Sequence, residues 1–113
     1  MNIAAPPDHN YPPSEQFRLA AKAWVDLDGA ARLLEETKSA VLAQRQKALG
    51  EMPAAHSERE VRASDEWADF VKQMVNARTA ANLAKVRMEW CRMKFMEWQS
   101  ENANRRAEMR LTA

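Results

Sequence analysis

From Trp67 to Met109 the chain runs for more than forty residues with no proline or glycine. With Trp67 as position a of a heptad, the a and d positions read Trp67, Phe70, Met74, Ala77, Ala81, Ala84, Met88, Cys91, Phe95 and Trp98, an unbroken apolar seam. A seven-residue repeat keeps its stripe on one partner only if the helices wrap slightly around each other. At about 1.5 Å per residue such a helix, spanning roughly 65–110, is about 65 Å long, too long for a compact domain of this mass to hold alone. The pattern therefore predicts a helical partner.

The partner is upstream. Phe17, Ala20, Trp24, Leu27, Ala31 and Leu34 recur at three and four residues, with Leu33, Val41, Leu42 and Leu49 continuing the face less regularly. Ser14 is placed to cap this helix, spanning roughly 15–49, and Gly50 followed by Pro53 to stop it. Gly29 lies inside it at a cost of about 1 kcal/mol relative to alanine, which implies a large side chain pressed against it or a local bend. Residues 50–64 form the connection, in which Ser57-Glu58-Arg59-Glu60 has the form of a capping box opening a short turn. Ser64 then caps the long helix, with Asp65 and Glu66 at its positive end.

The expected fold class is all-α: a long antiparallel helical hairpin that assembles into an oligomeric helical bundle or coiled coil. Its organisation is an extended arm over residues 1–13, carrying Pro6, Pro7, Pro12 and Pro13, and a single hairpin domain over 14–113. The second helix is the longer by about ten residues and should overhang the first by roughly 15 Å.

The long helix is apolar on more than one side. Opposite the seam lie Leu83, Val86, Trp90 and Met93 at the c and f positions, with Met96 beside them. A helix in a two-helix hairpin buries one face only, so this second stripe needs a further cover. It reads as an interface to another copy, as a groove for a foreign helix, or as a face that the first helix wraps around to reach.

Charge changes the picture through its distribution. The net charge of the chain is only +1, which leaves no bulk attraction to nucleic acid or anionic lipid. Residues 1–66 carry eight Lys/Arg against eleven Asp/Glu, and residues 67–113 nine against five, so the two parts are complementary. Arg78, Lys85, Arg92 and Arg106 occupy e positions and Arg87 and Lys94 g positions, flanking the seam. Charges there ordinarily pair with acids on the facing helix, and Asp26, Asp28, Glu35 and Glu36 are available. The functional alternative is a cationic track for a DNA backbone, extended by Arg105 and Arg110, with Trp90 and Trp98 as stacking platforms.

Catalytic patterns are missing. His9 and His56 are the only histidines, and His56 with Glu60 supplies too few ligands for a metal, so no metal or cofactor is expected. Two isolated glycines make no phosphate loop, and no arrangement of residues suggests an activated nucleophile. Cys91 alone builds no internal disulfide and falls on the seam, as a small buried hydrophobe or a thiol facing its own copy across a dimer axis. No run reaches the roughly eighteen apolar residues of a spanning helix, and the start lacks a signal-peptide pattern, so a cytoplasmic protein without a membrane partner is expected.

The segment Val86-Arg87-Met88-Glu89-Trp90-Cys91-Arg92-Met93-Lys94-Phe95-Met96-Glu97-Trp98-Gln99-Ser100, with Ala107-Glu108-Met109-Arg110-Leu111 after it, resembles small helical proteins encoded in the early regions of temperate bacteriophages, near recombination genes. The likeness covers mainly the C-terminal third and includes no catalytic motif. It implies an accessory role in phage DNA metabolism or against host defence, inside a bacterial cell, and assigns no site residue. Together with the residues it leads to a non-catalytic, self-associating accessory protein that binds a DNA backbone through Arg78, Lys85, Arg87, Arg92, Lys94, Arg105, Arg106 and Arg110. The alternative is an adaptor or inhibitor that holds a host or phage protein on Leu83, Val86, Trp90, Met93 and Met96.

Overall fold

The computed structural model describes residues 10–112, which places the first nine residues of the expected arm, His9 included, outside the described part. Among the described residues there are three α-helices and no strand: α1 (Pro13–Ala48), α2 (Ala54–Arg62) and α3 (Asp65–Thr112). Contacts group the chain into two compact units, both built from α1 and α3. One joins the described part of Met1–Asp26 to that of Asn82–Ala113, and the other is Leu27–Ala81.

Local chemistry sets the helix ends, in part differently from expectation. α1 begins at Pro13, and the Pro12 carbonyl accepts from the backbone N–H groups of Glu15 and Gln16 at 3.0 Å each. A proline in the first helical position has its φ preset and no N–H to leave unpaired. Ser14 therefore falls in the first turn and is not the cap. Gly50 ends α1 as expected: at φ 88° it takes the left-handed conformation, and its N–H donates to the Lys47 carbonyl at 3.1 Å.

The connection holds a full helix. α2 opens at Ala54, so Ser57 lies within it and caps nothing, which overturns the expected capping box. The Ser57 hydroxyl is buried, donates to the Ala54 carbonyl at 2.9 Å and accepts from Gln46 Nε2 on α1 at 3.0 Å. That bond and buried Val61 hold α2 in place. At the start of α3, Ser64 Oγ accepts the Trp67 N–H at 3.2 Å, the cap expected there.

In the unit Leu27–Ala81 the core is Ala31, Val61, Trp67, Ala80 and Ala81, with Trp67 stacked on Phe70 at 5.4 Å between ring centroids. In the other unit it is Ala20, Ala84 and Cys91, flanked by Phe17 and Phe95 at 6.2 Å. Phe17 meets Phe95, Trp24 meets Lys85, and Asp28 and Glu35 meet Arg78, so α1 and α3 run antiparallel within each unit. The small residues Ala20, Ala31, Ala81 and Ala84 let the backbones approach closely.

Two of the α1 positions expected in the core are outside it. Leu33 is 64% exposed because Leu34, three residues after Ala31, already occupies the inward place, and one residue turns the chain by about 100°. Leu49 is 44% exposed, beyond the last turn of α1. Gly29 is exposed, and a Cβ built on it meets nothing within 4 Å, so no large side chain presses there.

Candidate interaction surface

The inner face of α3 is consumed by α1. Of the ten seam positions only Trp98 is exposed, at 44%, because α1 begins at Pro13, level with it. Cys91 is 2% exposed against α1, so its thiol is a packing group and does not face outward toward a copy. Burial raises its pKa, against a smaller opposing pull from Arg87, which makes it a poor thiolate.

The opposite face is uncovered. Leu83, Val86, Trp90, Met93 and Met96 are 47%, 64%, 50%, 62% and 56% exposed, in a continuous row along the outside of α3. The reading in which the first helix wraps around to reach this face is thereby overturned. One helix packed against another covers a single face of it, and α1 covers the inner one. At the edge of the row Lys94 Nζ lies 5.6 Å from the Trp90 ring centroid and 3.6 Å from Glu97. Next to it is an open groove of about 250 Å³ whose walls include Pro13, Gln16, Trp90, Lys94, Trp98 and Glu101. Periodicity places Trp98 on the seam; its part in this groove depends on where α1 starts, which the heptad pattern does not encode.

The basic row is divided. Arg78 donates to Asp28 at 2.7 Å and to Glu35 at 2.7 and 2.9 Å, the pairing with α1 acids that e-position charges ordinarily make. Glu35 is held below the ordinary carboxylate pKa, first by its hydrogen bond from Arg78. Arg78 is thus part of the fold and is withdrawn from the expected DNA track. Lys85 lies 5.7 Å from the Trp24 ring centroid with its side chain still exposed, and Arg87 is half-buried. Asp26, also available to the row, pairs instead with Lys22 on its own helix at 2.9 Å.

Four cations are left outward. Arg92, Arg105, Arg106 and Arg110 are exposed and have no ion-pair partner among the described residues. The last three lie beyond Glu101, where α1 no longer runs alongside α3. There every residue from 103 to 112 is exposed.

His56 Nε2 is 3.9 Å from Glu60, and no group of three or more potential metal ligands occurs among the described residues. None of their helices is long and apolar enough to cross a membrane. The chain matches no family model, no curated protein and no solved structure. None of these comparisons links the chain to the phage accessory proteins expected from its C-terminal segment.

Proposed function

We propose that the chain is a non-catalytic, self-associating helical protein that works by binding, with the outer stripe of α3 as its contact surface. One observation supports this above the others: five large apolar side chains in a row, each about half exposed or more, on the face of α3 turned away from α1. Leaving such a row in water forgoes about 25 cal/mol for each Å² of apolar surface that a partner would cover. The inner seam of α3 from Trp67 to Phe95 is already covered, so the row is surplus to holding one copy together.

The mass in solution tests this reading. A single copy weighs 12.9 kDa, and association through the stripe gives a multiple of it. Val86→Ser with Met93→Ser should return the mass to one copy with helicity unchanged, since neither side chain contributes to the α1 contact. A wild-type mass of one copy at every concentration would remove the reading. Capture of a different protein by an otherwise monomeric chain would favour the adaptor alternative.

A second reading is favoured by the unpaired cations. Arg92, Arg105, Arg106 and Arg110 are free to meet phosphates, as an accessory protein of phage DNA metabolism would need. Retention of a labelled oligonucleotide should then fall steeply with added salt and weaken in the Arg105→Ala, Arg106→Ala double variant. No retention at low salt excludes it.

A further inference from the structure

The outer stripe has the spacing of a second seam. Leu83, Val86, Trp90 and Met93 follow one another at three, four and three residues, the interval by which the inner a and d positions alternate. Taken as a heptad of its own, this outer seam has Arg87, Lys94 and Glu101 on one flank and Asn82, Glu89 and Met96 on the other. Thr79 and Glu97 occupy the next core positions and close the seam at its two ends. It is two heptads long, on a helix that α1 already holds in shape, so pairing requires little new ordering.

Two arrangements of a second copy cover the oil equally well. Antiparallel pairing sets Leu83 against Met93 and Val86 against Trp90, but brings like flanks together, with Glu89 meeting Glu89. Parallel, in-register pairing sets each core residue against itself and brings unlike flanks together. A g position then faces the e position five residues on, and Glu89 faces Lys94 of the second copy, twice across the pair. Lys94 is suitably held, with its ammonium above the Trp90 ring at the edge of the stripe and 53% of its side chain exposed.

We propose that two copies pair in parallel and in register through Leu83, Val86, Trp90 and Met93, with Glu89 of each facing Lys94 of the other. The proposal rests on self-association through the stripe and adds the partner, its direction and its register. Hydrophobic matching does not distinguish the two directions; the flanking charges do. One consequence is that Arg105, Arg106 and Arg110 of both copies come to the same end, doubling the cation density there.

Sedimentation equilibrium on the full chain tests it. Wild type should reach twice 12.9 kDa with rising concentration. Two symmetric exposed ion pairs are worth a modest factor, so Glu89→Lys and Lys94→Glu should each weaken association roughly threefold to tenfold, and the double reversal should restore it. Glu89→Gln should also weaken it. Both positions tested are exposed, and circular dichroism should show unchanged helix. A dimer that Glu89→Gln tightens, or that neither reversal alters, overturns the parallel register while leaving self-association standing. A wild-type mass of one copy throughout overturns both.

Discussion

Gly29 lies exposed in the middle of α1. Mid-helix glycine is costly because its unfolded backbone has more freedom to lose, and proteins retain it where a side chain would collide. Here the space around it is open. Gly29→Ala is therefore expected to stabilise the chain by about 0.5–1 kcal/mol, read as a higher urea midpoint. Arg78 is the opposite case, a side chain whose role the fold has already taken. Because Arg78 lowers the pKa of Glu35 in the folded chain, their pairing contributes stability above the unfolded carboxylate value, near 4.5, and loses it as pH falls below that value. The melting temperature of Arg78→Gln should thus lie below that of wild type at neutral pH, with the gap narrowing as pH falls below about 4.5. The i, i+4 and i, i+3 pairs along α1, such as Lys22 with Asp26, are exposed and contribute little by comparison.

Between elements, the contact of α1 with α3 depends on alanines as much as on large side chains. Ala31 and Ala81 are fully buried, each at 0% exposure. Ala31→Leu forces methyl groups into that packing and is expected to cost about 1–3 kcal/mol, measured by chemical unfolding; Ala30→Leu, one residue along on the exposed side, should be nearly neutral. The heptad and the 3.6-residue periodicity were enough to place α3, its cap at Ser64 and most of the inward positions of α1. They misplaced Leu33, because two adjacent leucines satisfy a periodic pattern equally and only the line of contact with α3 selects one. They also underestimated α2, whose nine residues expose most of their surface and whose hold on the rest comes through Ser57 and Val61.

For the whole molecule the governing quantity is uncovered apolar surface. If copies cover the α3 stripe, folding and association are linked, and the melting temperature should rise over a roughly hundredfold increase in protein concentration. Trp90→Ala should flatten that dependence while leaving the low-concentration value almost unchanged, since Trp90 is half exposed outside the inner seam. A concentration-independent melting temperature in wild type would speak against assembly. The candidate surface was legible beforehand as a list of residues, Leu83 through Met96, because helical spacing alone puts them on one side. That they are uncovered was not legible, since the chain's own remainder was one of the available covers.

Periodicity, the gap in helix-breaking residues and the capping serine at 64 determined by themselves that this chain is helical and that α3 has two apolar faces. These are local properties, set by side-chain spacing and backbone hydrogen bonding within a few residues. Tertiary structure alone decided which face α1 takes, that Arg78 is tied to Asp28 and Glu35 while Arg92 and the arginines after Glu101 are not, and that Trp98 opens onto a groove. Each of those depends on where the first helix begins and how closely it approaches, and burial is a property of the pair of helices that neither sequence segment contains alone.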